Sequence, residues 1–122
     1  MIKGTGVDLC SIPRMRLHIK SERFLEKVFT EEEISFALSK AYPEQHFAGY
    51  YAAREALAKA LTLGLWGVGL KNAWVVHGKM GEPQFSFNDI LIKILADRDI
   101  NKVWLSISHE RDMAIAFVIL EA

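Results

Sequence analysis

The chain has 122 residues, of which 51% are hydrophobic, and its fifteen basic and fifteen acidic side chains cancel to a formal net charge of zero. This balance gives no global positive field for nonspecific nucleic-acid binding, and no apolar run is long enough to span a membrane. Cys10 is the only cysteine, which excludes an internal disulfide and a cysteine-built zinc site and indicates a reducing compartment. We therefore expect one domain over residues 1–122, in the cytoplasm, with no nucleic-acid or membrane partner.

The sequence opens with a predicted strand. β-Branched and small residues over 2–9 indicate a short strand with Asp8 at its end. Gly4 and Gly6 lie inside this strand, where the missing side chains let another backbone or a ligand approach closely. The segment therefore ends on a carboxylate, next to a predicted close contact.

A basic segment follows the strand. Ser11 is a typical helix N-cap and Pro13 suits the first turn, so a helix is expected from here to residue 28. Within residues 14–28, five Lys or Arg stand against two acids, with apolar side chains between them. Such a helix can attract an acidic protein by charge and hold it by apolar contacts, while a solvated charged helix has the same pattern. The candidate partner-binding residues are Arg14, Arg16, Lys20, Arg23 and Phe24, beside Met15 and Leu17.

A long helix is predicted in the middle of the chain. Residues 44–63 are rich in alanine and contain no proline. At 100° per residue, one apolar stripe faces the core, and Glu55 and Lys59 lie on the opposite side. Ala48 and Ala52 neighbour these two residues on the wheel. We expect their small side chains to leave room for a bulky charged group against the helix.

The other predicted elements are shorter. A capping-box pattern, with Thr30 as N-cap and Glu33 as third helical residue, should begin a helix that ends near Lys40. The order of strands and helices indicates an α+β fold, a small antiparallel sheet packed with a long central helix and shorter helices. The remaining elements are a glycine-containing loop at 64–69, strands at 71–77 and 84–87, a helix from Asn88 to about Asp97, and an antiparallel hairpin of 103–108 and 113–120.

Asp8 and Glu55 are the first candidates for chemistry. A fold that brings these carboxylates together would offer hard oxygen ligands to one Mg²⁺, and Lys59 follows Glu55 by one helical turn. A diphosphate with its metal suits this group of charges. Taken singly, however, Asp8 fits an ordinary turn, and Glu55 with Lys59 fits a surface ion pair.

A second candidate group lies near the end of the chain. Strand alternation puts Ser106 and Ser108 on one face, and His109 follows at the strand end. There a histidine can donate to a phosphate oxygen or transfer a proton near neutral pH, or it can simply occupy a hairpin tip. The other histidines show no metal-ligand spacing and are expected to be surface or strand-end residues; they are His18, His46 and His77.

Five short motifs follow one another along nearly the whole chain. They are Gly6-Val7-Asp8-Leu9 with Ile12 and Arg14, Phe29-Thr30-Glu31-Glu32-Glu33, Ala52-Ala53-Arg54-Glu55-Ala56 with Lys59-Ala60, Gly81-Glu82-Pro83, and Ser106-Ile107-Ser108-His109. In this order they resemble the motifs of the holo-acyl-carrier-protein synthase family of 4′-phosphopantetheinyl transferases. The family often has lysine where this chain has Arg54.

The resemblance implies a fold, a reaction and a set of roles. The fold would be that of a 4′-phosphopantetheinyl transferase, and the reaction would move phosphopantetheine from coenzyme A to a serine of apo acyl carrier protein in fatty acid biosynthesis. It further implies a homotrimer of the short type, with active sites between subunits. The implied roles are Mg²⁺ binding by Asp8 and Glu55, phosphate contacts by Lys59 and His109, coenzyme A contacts also by Gly81, Pro83 and Ser108, and carrier docking by the basic segment.

Two other functions are compatible with the same residues. A Mg²⁺-dependent nucleotide or diphosphate hydrolase would use the same acids, with water in place of the carrier serine. A non-catalytic trimeric module could bind an acidic partner through the basic segment and use its carboxylates structurally. Mass analysis of apo carrier protein after incubation with coenzyme A separates these functions.

Overall fold

The computed structural model describes all 122 residues and contains five strands and six helices. No helix combines the length and the hydropathy that crossing a membrane requires. In chain order the elements are β1 (Ile2–Ser11), α1 (Ile12–His18), α2 (Glu22–Val28), α3 (Glu31–Leu38), α4 (Pro43–Leu61), α5 (Gly64–Val68), β2 (Ala73–His77), β3 (Pro83–Phe87), α6 (Asp89–Asp97), β4 (Lys102–Glu110) and β5 (Met113–Glu121).

The strands form two antiparallel sheets. The larger sheet has the order β1-β5-β4, and the smaller one is the β2-β3 hairpin. The predicted hairpin near the C-terminus is confirmed as β4 and β5, which are joined by a turn at residues 111–112. Because this sheet packs against one long helix, the predicted α+β class is confirmed.

Helix α4 lies directly on β1. A Cβ atom added to Gly6 would collide with the carbonyl oxygen of Ala56, and one added to Gly4 would collide with that of Ala60. The two glycines therefore let the strand and the helix backbone touch, as the sequence predicted. Gly4 and Gly6 are two residues apart on β1, and Ala60 and Ala56 are one helical turn apart on α4. These paired contacts fix how the strand and the helix are aligned.

The predicted open face of α4 is wrong. Ala48 and Ala52 are completely buried, and from residue 47 to residue 61 only Tyr51, Glu55 and Lys59 are not buried. The sheet covers one side of α4, while α1, α3, α5 and β2 contact its other sides. A helical wheel assumes one core-facing side, so it does not describe a helix that is surrounded.

Three other segments differ from their predictions. Strand β1 continues to Ser11, so Asp8 lies inside the strand and not at its end. The basic segment is not one helix, because α1 ends at His18 and Ser21 caps a second helix, α2, through a hydrogen bond to the backbone of Phe24. The expected glycine loop contains the short helix α5 after Thr62, a residue with φ of 56°. The caps predicted at Ser11, Thr30 and Asn88 are all confirmed.

A buried ion pair joins α3 to α4. Both Arg54 and Glu33 are at most 1% exposed, and the two Nη atoms of Arg54 donate to the two carboxylate oxygens of Glu33. Glu33 also accepts from the backbone of Thr30 and Val75, and Arg54 Nε donates to the carbonyl oxygen of Leu70. Because Arg54 points into this network, it is a structural residue even though it precedes Glu55 in the sequence.

Candidate active site

The structure brings Asp8, Glu55 and Lys59 together at one end of the β1–α4 contact. Asp8 lies two residues beyond Gly6, so it shares the strand face that touches α4. Lys59 Nζ donates to Asp8 Oδ1 at 2.8 Å and to the carbonyl oxygen of Val7 at 3.3 Å. The Asp8 side chain is 15% exposed and that of Lys59 is 58% exposed, so the cluster opens to solvent on the lysine side.

The two carboxyl groups are close enough to share a proton. Burial raises the pKa of Glu55 to about 7, and a hydrogen bond with Asp8 and the negative charge of Asp8 act in the same direction. Burial by itself would also raise the pKa of Asp8, but hydrogen bonds with Glu55 and Lys59 and the charge of Lys59 lower it below its ordinary value. As the pH falls, Glu55 therefore takes up a proton before Asp8 does.

This donor set fits a divalent cation. Two carboxylates that repel each other and share a proton can accept a doubly charged ion in the proton's place, and carboxylate oxygens are the ligands that Mg²⁺ prefers. Asp8 and Glu55 would hold this ion, and the ammonium group of Lys59 lies beside them. The carboxylates of Asp8 and Glu55 thus lie together, as a shared metal ion would require.

A cavity of about 370 Å³ opens beside Glu55. Its walls include Arg14, Met15, His18, Phe24 and Tyr51, so it joins the carboxylate cluster to α1 and α2. The Phe24 ring stacks on the His18 ring with centroids 4.9 Å apart, which leaves Phe24 half-buried. Of the predicted carrier-binding residues, Arg14 and Phe24 line this cavity.

The other predicted carrier-binding residues lie outside the cavity. Lys20 and Arg23 are exposed, and Arg16, also exposed, lies 3.7 Å from the partly buried carboxylate of Glu44. Cys10 does line the cavity, where burial, together with the charges of Glu55 and Asp8, raises its pKa to about 11. Its thiol is therefore protonated at neutral pH and is not a nucleophile.

His109 lies in a different cavity, of about 150 Å³. Gly81 and Pro83 line the same cavity, together with His46 and His77. Ser108 is exposed on the opposite face of β4, because neighbouring residues of a strand point to opposite sides. Asp8 is on β1 and His109 is on β4, and these strands are the two edges of the larger sheet. Within one chain, therefore, the two groups of predicted site residues are separate.

Sequence reasoning missed the histidines of this second cavity. His46 and His77 come from α4 and from the end of β2, and neither has a motif that marks it. Their ring centroids are 6.3 Å apart, and burial, followed by electrostatic interactions with His77, Lys40 and His109, lowers the pKa of His46. The one available signal was the position of His77 just before the Gly81-Glu82-Pro83 motif.

A family model described as the 4′-phosphopantetheinyl transferase superfamily matches residues 4–118. The chain therefore belongs to this superfamily, and its α+β fold agrees with that membership.

Individual relatives are similar over the whole chain. Holo-[acyl-carrier-protein] synthase from Syntrophus aciditrophicus is 38% identical over 99% of this chain and 97% of that protein. The enzyme of the same name from Geotalea daltonii is 36% identical over 99% of both. The crystal structure of holo-[acyl-carrier-protein] synthase from Neisseria meningitidis aligns over 100% of both chains with a TM-score of 0.92 and 36% identity. The Bacillus anthracis synthase in complex with CoA (3′,5′-ADP) aligns over 100% of this chain and 98% of that chain, with a TM-score of 0.83 and 29% identity. Within the superfamily the relatives are thus holo-[acyl-carrier-protein] synthases, which confirms the family predicted from the five motifs.

Proposed function

We propose that this chain transfers 4′-phosphopantetheine from coenzyme A to a serine of an apo acyl carrier protein and releases adenosine 3′,5′-bisphosphate. The observation that carries the proposal is the contact between Asp8, Glu55 and Lys59 in a chain similar to holo-[acyl-carrier-protein] synthases along its whole length. Residues 1–122 would act as one transferase domain in the cytoplasm, where a lone cysteine stays reduced.

The chemistry requires the control of negative charge. The serine oxygen attacks the phosphorus that bears the pantetheine arm, and the bond from this phosphorus to the bridging oxygen breaks, so that adenosine 3′,5′-bisphosphate leaves with that oxygen. The serine hydroxyl gives its proton to a carboxylate, directly or through water, and negative charge builds on the phosphate oxygens. Mg²⁺ held by Asp8 and Glu55 would supply positive charge at the diphosphate. Lys59 adds a cation from the same cluster, because its ammonium lies at the open side of the two acids. His109, Gly81 and Pro83 would bind the remainder of coenzyme A, and His109 can donate a hydrogen bond to phosphate.

Mass spectrometry of the carrier tests this function directly. Apo carrier protein incubated with the chain, coenzyme A and magnesium should gain one phosphopantetheine on its serine. The same carrier with that serine replaced by alanine is the control and should gain nothing. Cleavage of coenzyme A without modification of the carrier would support the hydrolase instead. Carrier binding without transfer or cleavage would support the non-catalytic module. No structural feature or comparison favours either alternative.

The outer face of the larger sheet supports a proposal of self-association. Large apolar side chains on this face are 38–55% exposed; they are Val7, Leu9, Trp104, Met113, Ile115 and Phe117. An apolar surface of this kind usually marks an interface. We propose that two further copies cover it in a homotrimer. Because Asp8 and His109 are on opposite edge strands, packing of these edges would join the acid cluster of one copy to the histidine cavity of the next.

Mixing two inactive variants tests the shared site. Asp8→Asn removes a proposed metal ligand from one half of the site, and His109→Ala removes the proposed phosphate contact from the other half. When equal amounts are unfolded and refolded together, random assembly should leave about a quarter of the sites intact and restore activity to that level. The matched control mixes Asp8→Asn with Glu55→Gln, which affect the same half-site and should restore nothing. A site built within one chain would give no restoration in either mixture.

Arg14 is the residue that we propose to steer the carrier protein. It is exposed on α1, lines the cavity next to Glu55 and lies near Phe24, so it combines charge with an apolar neighbour. Charge reversal in Arg14→Glu should raise the KM for carrier protein by about tenfold or more and leave the KM for coenzyme A unchanged. Steady-state kinetics with each substrate varied in turn measures both values. Lys93→Glu, on the distant helix α6, is the matched control, and an equal effect of both changes would contradict a local docking role.

Metal affinity should depend on pH through Glu55. Because its pKa is raised to about 7 while that of Asp8 is lowered, Glu55 must lose a proton before both acids can bind the metal. The apparent Mg²⁺ affinity should therefore fall as pH drops below 7, by about tenfold per pH unit for one displaced proton, and level off above 7. Calorimetric titrations with Mg²⁺ at pH 5.5 to 8.5 measure this slope. Glu55→Gln should bind more weakly with no slope, and a flat wild-type profile below pH 7 would refute the assignment.

A further inference from the structure

The turn between β2 and β3 carries residues that we have proposed to contact coenzyme A. It projects into solvent, since Met80 is 90% exposed, and Gly81 adopts a φ of 84°. Its internal hydrogen bonds join Gly78 to Glu82 at 2.8 Å, Gly81 to Gly78 at 3.0 Å and the backbone of Met80 to Glu82 Oε1 at 2.9 Å. These bonds shape the turn, but none of them ties it to the rest of the protein.

His77 supplies the connection to the protein core. Its Nδ1 is 3.2 Å from the carbonyl oxygen of Gly81, and its Nε2 is 2.8 Å from the hydroxyl of Tyr50. Tyr50 is 1% exposed within α4. A chain of two hydrogen bonds therefore runs from the buried central helix through the histidine ring to the turn.

The groups that His77 contacts determine which of its ring nitrogens carries the proton. A carbonyl oxygen only accepts, so Nδ1 of His77 must carry the proton that is donated to Gly81. In the neutral ring Nε2 is then the acceptor, and the Tyr50 hydroxyl donates to it. Tyr50 remains a donor because burial, together with the charge of Glu33, raises its pKa. One tautomer of His77 thus satisfies both neighbours.

Packing fixes the plane of the same ring. Phe36, on α3, stacks on His77 with centroids 4.0 Å apart and an angle of 11° between the rings. Lys40 Nζ lies 4.7 Å from the centroid of Phe36. Stacking restricts the tilt of the imidazole and the two hydrogen bonds restrict its rotation, so its Nδ1 is held toward the turn.

We propose that His77 is a positioning residue which, through Tyr50 on one side and Gly81 on the other, orders the 78–82 turn for coenzyme A binding. The proposal rests on the proposed function, in which Gly81 and Pro83 contact coenzyme A. An ordered turn loses less conformational entropy on binding, so the network acts on affinity and leaves the reacting atoms untouched. Its signature is a raised KM for coenzyme A with kcat and the KM for carrier protein preserved.

Four single variants of the full-length protein and the Tyr50→Phe/His77→Phe double variant test this role. His77→Phe keeps a flat ring against Phe36 and loses both hydrogen bonds, whereas His77→Gln retains a donor and an acceptor. Tyr50→Phe removes only the buried hydroxyl, and Tyr42→Phe removes an exposed one as the matched control. Steady-state kinetics with each substrate, calorimetric titration with coenzyme A and thermal melting are measured for each. Nitrogen-15 NMR of the His77 ring reports its tautomer in the wild type and in Tyr50→Phe.

The expected pattern separates positioning from simple stabilisation. The KM and Kd for coenzyme A should rise about fivefold to tenfold in His77→Phe, which corresponds to the loss of a net hydrogen-bond contribution, and less in His77→Gln. Tyr50→Phe should raise the KM and Kd for coenzyme A by a smaller factor, and its His77 ring should show a mixture of tautomers. Tyr42→Phe should change neither value. The Tyr50→Phe/His77→Phe double variant should raise them no more than His77→Phe alone does.

Two results would overturn the inference. The positioning role is excluded if the variants that fold bind coenzyme A with unchanged affinity, or if they lose only kcat or only melting temperature. In that case the proposed function still stands, provided that the wild type transfers phosphopantetheine to the carrier. A wild-type chain that binds no coenzyme A and modifies no carrier overturns the proposed function and the inference together. If His77→Phe does not fold, Tyr50→Phe decides the question, because it alters one hydroxyl only.

Discussion

Glu55→Gln should reduce phosphopantetheine transfer by at least about 10²-fold, because losing a metal ligand at the diphosphate removes several kcal/mol of transition-state stabilisation. The amide keeps the size of the side chain but cannot serve as an anionic ligand. It also removes the repulsion between the two acids, which burial strengthens in the wild type. The folded chain should therefore be no less stable than the wild type while losing most of its activity. Asp8→Asn should cause a similar loss.

The measurement is the rate of carrier modification at saturating coenzyme A and high magnesium, with circular dichroism as the check on folding. Asp97→Asn is the matched control, because Asp97 forms an exposed ion pair with Lys93 on α6 and lies far from either cavity. Its rate should equal that of the wild type. Near-normal turnover by folded Glu55→Gln or Asp8→Asn would remove that residue from the catalytic group.

Arg54→Met should destabilise the fold by about 3–5 kcal/mol, the cost of leaving a buried charge without its partner. Glu33 would keep its hydrogen bonds to the backbone of Thr30 and Val75, but its carboxylate would face a methionine side chain in a fully buried position. Such a loss is a large part of the total stability of a small protein. Urea denaturation measures it.

The double variant Glu33→Met/Arg54→Met separates the charge effect from packing. Because both charges are removed, it should be more stable than Arg54→Met, although it also loses the capping-box carboxylate of α3. Its activity should exceed that of Glu55→Gln, since neither residue contacts the proposed site. If Arg54→Met stayed within about 1 kcal/mol of the wild type, the pair would have no structural importance.

Local signals predicted the elements of the fold well. A side-chain cap needs only three or four neighbouring residues, so the helix starts after Ser11, Thr30 and Asn88 could be found without the fold. Ser21 carries the same kind of signal, and the expected single basic helix was wrong because that cap was overlooked. The glycines of β1 were also informative, since a strand interior rarely needs two of them unless a backbone lies close.

The tertiary environment could not be predicted from the same patterns. The Ala48 and Ala52 side of α4 was predicted to be open, but alanine suits a close-packed contact as well as an empty surface. Glu33 was identified as a capping residue, and only the fold shows that its free oxygens receive Arg54 from another helix. Tyr50 and His77, which form a hydrogen bond, are 27 residues apart in the sequence, and no local pattern marks their contact.

The candidate site divides in the same way. Asp8 and Glu55 were paired in the prediction because both carry carboxylates, which are suitable ligands for one metal ion. They are far apart in the sequence, and the structure brings them together. The residues predicted to contact phosphate and coenzyme A do not all lie together. Ser108 and His109 point to opposite faces of β4, and His109 is separate from the two acids within one chain. No sequence pattern reveals which strand edges meet in an assembly.

The central claim is that Asp8 and Glu55 hold one Mg²⁺ against the diphosphate of coenzyme A. Calorimetric titration of Mg²⁺ into the coenzyme A-saturated protein at pH 8 tests it most directly, with coenzyme A alone as the blank. The account predicts one ion bound per chain in the wild type, and affinity at least about tenfold weaker in both Asp8→Asn and Glu55→Gln. Equal magnesium binding by the wild type and the two variants, or no binding beyond that of free coenzyme A, would contradict it.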